Sequence, residues 1–237
     1  MSYKEIQSRW QQFINEQEEP MQREQTAAIV WNNSNYRPGD KKILSKIPEI
    51  LTPEWLRAIP QGHAGIILLK STARLKGRQS KGATMGKSLD FAVEGSKTWR
   101  DKTGIFVPGQ VRGSNIKLGY NFFDYQDESE LESNIIEILN SNAVSSLSKV
   151  SEPNQFGYIP DINYEAALSL AGAPGTKKPY NIVPHAGGTQ TDNCGSYALK
   201  VAAAGKGMSP PGVVGVMPDQ VIGILADMGI ATLIESF

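Results

Sequence analysis

The stretch TDNCGSYALKVAAAG, residues 191–205, decides the interpretation of the fold because it places a cysteine where a helix begins. The residues after Cys194 are small, apolar and helix-forming, and Gly205 is a typical C-terminal stop. Either Asp192 or Asn193 can cap this helix. Unpaired backbone N–H groups and the helix dipole at such a position favour the thiolate form of cysteine. The pattern therefore predicts a helix whose first turn carries an activated thiol.

The same helix start predicts the surroundings of the thiol. The backbone N–H of Cys194 would point toward an anion that forms above the sulfur, as an oxyanion hole requires. Gly195 is expected to permit close approach of a substrate. Cys194 is the only cysteine in 237 residues, so it cannot form an internal disulfide. Because free cysteines are among the most buried residue types, a buried structural thiol is the alternative interpretation.

The segment GHAGIILLKS, residues 62–71, is a short apolar run that predicts a buried strand with His63 at its beginning. A thiol that attacks a carbonyl needs a base and then an acid, and imidazole serves as both near neutral pH. The second histidine, His185, lies in a loop rich in Gly and Pro before the cysteine. A strand holds a base more firmly than a loop does, so His63 is favoured and His185 remains the alternative.

The next segment, SLDFAVEGS at residues 88–96, alternates apolar and polar residues and predicts a half-buried strand that pairs with the first. Asp90 and Glu94 lie on one face of this strand, four residues apart. A solvated strand face is the simple interpretation of both carboxylates.

The remaining patterns predict a helical N-terminal region and a small antiparallel sheet. Further helices are expected at residues 3–17, 42–50, 53–59, 128–140, 163–170 and 218–228. Further strands are expected at residues 104–107 and 116–123, with a Gly-rich turn at 108–115 between them. Loops are expected at residues 31–40, 74–87 and 171–193, and either a loop or a frayed helix end at 141–151.

Length and charge limit the classes of protein that the sequence can encode. A chain of 237 residues with 40% hydrophobic content suits a single domain, 1–237, with a helical region at 1–59 and a core at 60–237. Lys and Arg number 24 and Asp and Glu number 24, which gives no electrostatic reason to expect nucleic acid or an anionic membrane as a partner. The sequence shows neither a secretory signal nor an apolar run long enough for a membrane helix, so a soluble chain is expected.

No cofactor or metal is expected from the sequence. Two histidines and one cysteine make a Cys/His zinc site hard to assemble. The Gly-rich pieces lack the Lys-Ser/Thr ending of a phosphate loop.

Three short motifs, taken in order, resemble the permuted branch of the NlpC-type, papain-like cysteine hydrolases. They are a histidine at the start of a strand in GHAGIIL, an acidic residue late in the next strand in FAVEGS, and an Asn-Cys pair that opens a helix. In the unpermuted branch the cysteine helix precedes the histidine strand, whereas here His63 comes first. The resemblance implies an α+β, permuted papain-like core at residues 60–237, with a small antiparallel sheet packed against helices and the catalytic cysteine at a helix N-terminus.

The resemblance also implies roles for individual residues. Cys194 would be the nucleophile and His63 the general base, with an orienting acid from the strand after the histidine. Glu94 is the best match to that acid and Asp90 the second choice, and strand alternation does not choose between them. His185 and Asn193 are further candidates for the third residue or for substrate contacts.

The function that the resemblance implies is cleavage of an amide bond in peptidoglycan stem peptides through a thioester. The chain is similar in size and motif placement to the peptidoglycan-hydrolase effectors of type VI secretion, which leave the producer's cytoplasm without a signal peptide and act in the periplasm of a target cell. A cognate immunity protein and a secretion-spike protein would then be its partners. An acyltransferase or deamidase on the same fold, or a non-catalytic interaction module, are the alternatives.

Overall fold

The computed structural model describes residues 24–33, 62–71, 83–93, 107–141, 144, 153, 155–180, 191–209, 216 and 218–234. These residues form an α+β fold in which one antiparallel sheet carries helices on both faces. The helices expected at residues 3–17, 42–50 and 53–59 lie outside the described residues, as do Glu94 and His185.

Seven strands and four α-helices make up the described part of the fold. The strands are β1 (Thr26–Asn33), β2 (His63–Ser71), β3 (Thr84–Val93), β4 (Val107–Leu118), β5 (Gln155–Pro160), β6 (Lys177–Tyr180) and β7 (Thr232–Ile234). The helices are α1 (Glu128–Leu139), α2 (Tyr164–Ala171), α3 (Cys194–Gly205) and α4 (Val221–Asp227), the last preceded by a 3-10 turn at Pro218–Gln220. The strand order is β6-β4-β3-β2-β1-β5-β7, so β2 is the central strand and the sheet is larger than the small sheet that was expected.

Strand β2 is apolar from Ala64 to Leu69 because both faces of the sheet are covered. Ile66 and Leu68 belong to the cluster that includes α2, α3 and α4, whereas Ile67 and Leu69 belong to the cluster that includes α1. Alternating side chains on a strand point to opposite faces, so a continuous apolar run is what a doubly covered strand requires. The strand predicted at residues 62–71 is thus confirmed.

The helices predicted at residues 128–140, 163–170, 194–205 and 218–228 are confirmed within one or two residues, except that the last begins as the 3-10 turn. Side-chain caps mark three of these starts: Asp127 accepts a hydrogen bond from the Glu130 N–H, Asn163 accepts one from the Ala166 N–H, and Asn193 accepts one from the Ser196 N–H. No helix in the described part of the chain is long and apolar enough to cross a membrane.

The Gly-rich turn predicted at residues 108–115 is wrong, because β4 runs straight through it. Its glycines make room for neighbouring side chains instead of turning the chain. A Cβ at Gly109 would lie 2.8 Å from Phe91 Cε2, and one at Gly113 would lie 2.7 Å from Pro174 Cγ. Of the strands predicted at 104–107 and 116–123, residues 107 and 116–118 therefore belong to one long strand, residues 119–123 follow its end, and residues 104–106 lie outside the described residues.

Three expected loops contain strand residues. The loop at 31–40 is wrong for residues 31–33, which continue β1: there Asn32 is polar but buried, and its Nδ2 donates to Gln155 Oε1 at 2.9 Å. The loop at 74–87 is wrong for residues 84–87, which pair with both β2 and β4. The loop at 171–193 contains β6, a polar edge strand that is defined by its pairing with β4 rather than by an apolar pattern. Strands β1, β5 and β7 were not predicted.

Substitution of Gly86 by alanine should destabilise the sheet. The added Cβ would collide with the Leu68 carbonyl oxygen on the central strand and lie 2.8 Å from Leu69 Cδ2. Because overpacking of this kind requires backbone shifts, we expect a loss of about 1–3 kcal/mol in the free energy of unfolding, measured by urea denaturation.

The matched control for this substitution is Gly223→Ala in α4, where an added Cβ meets nothing within 4 Å. In a helix interior this change should be neutral or stabilising by up to about 1 kcal/mol. Equal stability of the Gly86→Ala and Gly223→Ala variants would contradict the close approach of β2 and β3.

Candidate functional site

The first turn of α3 is fixed by a capping box that positions Cys194, the first residue of the helix. Asn193 Oδ1 accepts a hydrogen bond from the Ser196 N–H at 2.8 Å, and Ser196 Oγ accepts one from the Asn193 N–H at 3.0 Å. Asn193 Nδ2 donates to the Val216 carbonyl oxygen at 2.8 Å. Of the two caps that the sequence allowed, Asn193 is therefore the one used, and its side chain serves the helix start.

Asp192 ties the segment before Cys194 to the rest of the molecule. Its Oδ1 accepts hydrogen bonds from Ser196 Oγ at 3.0 Å and from Lys200 Nζ at 2.6 Å. Its backbone forms an isolated parallel bridge with Tyr180 at the end of β6. The segment that leads into Cys194 is thus anchored both to α3 and to the sheet.

Gly195 has a packing role that the sequence did not indicate. A Cβ at this position would lie 2.9 Å from Pro218 Cα and 3.0 Å from Val221 Cγ2. The space beside Gly195 is therefore filled by the 3-10 turn and α4. The expectation that Gly195 leaves room for a substrate is wrong.

His63 is the first residue of β2, and its ring is buried, with 5% of the residue exposed. Its Nε2 lies 2.8 Å from Asp90 Oδ2, and its side chain is hydrogen-bonded to that of Cys194. Since Asp90 occupies Nε2, the nitrogen left for the thiol is Nδ1. The Trp31 ring packs edge-to-face against the imidazole at a centroid distance of 5.6 Å. These contacts fix the orientation of the ring.

Cys194 and His63 meet where a strand and a helix both begin. The alternation of β2 and β3 places His63 and Asp90 on the Trp31 side of the sheet, while the body of α3 packs on the opposite side. His63 is the first residue of β2 and Cys194 is the first residue of α3, and both elements begin at the same end of the sheet. The two side chains therefore meet at that end.

The charges of Cys194 and Asp90 change the acidity of His63. Burial of the ring lowers its pKa, but the negative charge of Cys194, the hydrogen bonds that Asp90 and Cys194 accept from the ring and the charge of Asp90 together outweigh burial and raise the pKa from 6.5 to about 9. A raised pKa favours the protonated ring, so His63 can serve as a proton donor as well as a base.

Arg112 completes the site. The sequence pattern did not single it out, because it lies in the turn that was expected at residues 108–115. It faces Asp90 directly across the β3–β4 ladder. Its Nε donates to Asp90 Oδ1 at 2.8 Å and its Nη2 donates to Asp90 Oδ2. The carboxylate of Asp90 is wholly buried, whereas the Arg112 side chain is 33% exposed.

The structure brings together Cys194, His63 and Asp90 out of the residues that the sequence singled out. The interpretation of Asp90 as part of a solvated strand face is wrong. The residue is buried, and its carboxylate is paired with Arg112 and His63. The role predicted for Glu94 and the alternative base His185 remain predictions, since both residues lie outside the described ranges.

The resulting arrangement is a thiol, an imidazole and a carboxylate in a row, which is the arrangement used for nucleophilic catalysis at acyl groups. Within the described ranges, no group of three or more His, Cys, Asp or Glu side chains is placed to hold a metal ion. Comparisons of the chain with protein-family models, with curated proteins and with solved structures found no match.

NMR titration of the two histidine rings tests the electrostatics of this site. We expect His63 to titrate near pH 9, and its pKa to fall in both Cys194→Ala and Asp90→Asn, because each change removes a negative charge that stabilises the imidazolium. The His185→Gln variant identifies which signal belongs to His63.

The control is Glu94→Gln, which removes the other candidate carboxylate. If Asp90 is the partner of the ring, Glu94→Gln leaves the pKa of His63 near the wild-type value. A fall in Glu94→Gln together with no change in Asp90→Asn would assign the orienting role to Glu94.

Proposed function

We propose that this protein is a cysteine hydrolase with a permuted papain-like fold, in which Cys194 is the nucleophile, His63 the acid and base, and Asp90 the residue that orients His63. The single observation that carries the proposal is the buried row formed by the Cys194 thiol, the His63 ring and the Asp90 carboxylate. In support of the fold, α3 packs against β2 and β3, the two strands that carry His63 and Asp90. The order of histidine strand, acid strand and cysteine helix agrees with the permuted branch.

The reaction begins with attack of the Cys194 thiolate on the carbonyl carbon of an amide. The C=O electron pair moves to the oxygen, and the resulting oxyanion lies near the N-terminus of α3, where the amide N–H of Cys194 has no acceptor among the described residues. The C–N bond then breaks as the His63 imidazolium gives its proton to the leaving amine. These steps leave a thioester on Cys194 and a neutral imidazole.

The second half of the reaction restores the enzyme. Neutral His63 takes a proton from water, and the hydroxide so formed attacks the thioester carbonyl. The carboxylic acid product leaves, Cys194 departs as the thiolate and His63 is again the imidazolium. Asp90 accepts the Nε2 hydrogen bond throughout, which keeps Nδ1 directed at the reacting atoms.

The substrate that we propose is an amide bond in peptidoglycan stem peptides. This part of the proposal rests on the resemblance of GHAGIIL and the Asn-Cys pair, with an acid on the strand after the histidine, to the permuted NlpC-type hydrolases. The same resemblance supports delivery by type VI secretion into the periplasm of a target cell, with an immunity protein in the producer. A deamidase or acyltransferase forms the same thioester and differs in the group that leaves or accepts the acyl chain.

Alkylation of the folded protein separates a catalytic thiol from a structural one. Cys194 is 1% exposed, so turnover requires that the thiol becomes accessible. We expect iodoacetamide to label native wild type at pH 7, and His63→Ala to react at least about tenfold more slowly because the imidazolium stabilises the thiolate. Since Cys194 is the only cysteine, intact-protein mass measures the reaction directly.

The control for alkylation is the wild-type protein in urea, where the thiol is fully exposed. If native wild type remains unlabelled for as long as it stays folded, the thiol is structural and the protein is a non-catalytic module.

Digestion of purified peptidoglycan, followed by mass spectrometry of the soluble fragments, tests the substrate. Wild type should release stem-peptide fragments whose masses identify the bond that is cut. Cys194→Ala should release none, and His63→Ala should lose at least about 1,000-fold in rate, because neither the nucleophile nor its proton carrier can be replaced by water.

The matched control is His185→Ala, which removes the other histidine of the chain and should retain activity. Loss of activity in His185→Ala but not in His63→Ala would show that the wrong base has been assigned. If all forms are inert on peptidoglycan while native Cys194 is alkylated, the thiol chemistry stands and the proposed substrate is wrong.

A further inference from the structure

Asp90 is held by two side chains, one from each neighbouring strand: His63 of β2 and Arg112 of β4. Its Oδ2 accepts a hydrogen bond from His63 Nε2 at 2.8 Å and one from Arg112 Nη2, and its Oδ1 accepts one from Arg112 Nε at 2.8 Å. The guanidinium therefore forms a bidentate salt bridge with the carboxylate, in which two N–H groups donate to the two oxygens. This is the strongest and most directional geometry for an arginine–carboxylate pair. The same Nη2 lies 3.4 Å from His63 Nε2.

The burial of Asp90 makes this bidentate salt bridge necessary. The carboxylate has no exposed surface and so cannot be stabilised by water. A single imidazolium already balances the thiolate of Cys194, which leaves the charge of Asp90 to be balanced by a second cation. Arg112 is the residue on β4 that faces it.

The bidentate salt bridge also fixes the orientation of the Asp90 carboxylate relative to His63. A carboxylate can rotate about its side-chain bonds, and only one rotation presents Oδ2 to His63 Nε2. Two hydrogen bonds from a planar guanidinium fix that rotation, whereas a point charge such as a lysine ammonium does not.

We infer that Arg112 is a positioning residue of the active site: it holds Asp90 charged and oriented so that Asp90 can orient His63. The inference rests on the proposed function for its catalytic consequence, but the hydrogen bond that it concerns can be observed without any substrate. Arg112 acts through Asp90 and does not itself touch the reacting atoms.

The first test uses the imidazole N–H proton of His63, which a hydrogen bond to a buried carboxylate shifts downfield and protects from exchange in the NMR spectrum. We expect this signal in wild type, its loss in Asp90→Asn and Arg112→Met, and a partly restored signal in Arg112→Lys. Lys117→Met removes a cation from an exposed position of the same strand and should leave the signal unchanged.

The second test is a double-mutant cycle on hydrolysis. Arg112→Met should lower kcat on the order of 100-fold with KM within about threefold of wild type, because a displaced base slows the chemical step without weakening binding. In the Asp90→Asn background, Arg112→Met should have less than about a twofold further effect.

Chemical rescue separates positioning from a merely structural role. The Arg112 side chain is partly exposed, so low millimolar guanidinium can reach the gap in Arg112→Ala and should restore activity, whereas ammonium, a point charge, should not. The Arg112→Lys variant and the double variant both avoid a lone buried charge, so they remain informative if Arg112→Met fails to fold.

Three results would overturn the inference. They are a wild-type imidazole signal in Arg112→Met, a rise in KM with kcat preserved, which would make Arg112 a substrate contact, and multiplicative losses in the double variant. If wild type is inert on peptidoglycan, the proposed substrate fails, while the imidazole signal still decides the role of Arg112.

Discussion

The hydrogen bond between His63 Nε2 and the buried carboxylate of Asp90 is the interaction on which the candidate site depends. It fixes one nitrogen of the ring and so leaves the other for Cys194. It also places the carboxylate of Asp90 where it has no exposed surface, so that neighbouring side chains must supply its hydrogen bonds. The presence of Arg112 on the next strand follows from that requirement, because an unpaired buried carboxylate would strongly destabilise the fold.

The packing of the sheet and the geometry of the site use the same residues. Gly65 lies opposite Asp90 in the β2–β3 ladder, and a Cβ at Gly65 would lie 2.7 Å from Trp31 Cε2. The absence of a side chain at Gly65 thus allows Trp31 to pack beside the His63 ring. In the same way, Gly195 allows the 3-10 turn to pack against the start of α3. The core could not be repacked at either position without moving a residue of the site.

Local sequence signals were sufficient to single out His63 and Cys194. They were not sufficient to choose Asp90 or to find Arg112. The apolar run after His63 and the small residues after Cys194 each indicate the element that carries the side chain. Strand alternation could not choose between Asp90 and Glu94, because residues four apart in a strand are expected on the same face. The pairing register, which sets Asp90 opposite Gly65, is what brings Asp90 to the ring. That register is set by contacts between distant segments.

Arg112 shows why non-local information was needed. Gly109 and Gly113 beside it have the composition of a turn, yet they lie within β4 because Phe91 and Pro174 fill the space above them. Strand β6 is similar, since KKPY has no apolar alternation and forms a strand by pairing with β4. Local sequence patterns do not show which distant residue will pack against the backbone of a glycine.

In the proposed reaction, the charges of the site remain balanced at every step. Before attack, the thiolate faces the imidazolium and Asp90 faces Arg112. In the tetrahedral intermediate the negative charge moves to the substrate oxygen, and in the thioester both Cys194 and His63 are neutral, while the pair of Asp90 and Arg112 is unchanged. A neutral amide adds no charge to this sequence, whereas an anionic group such as a phosphoryl ester would leave an unbalanced charge in a buried site. The electrostatics of the row therefore favour an amide or ester as substrate, in agreement with acyl transfer through Cys194.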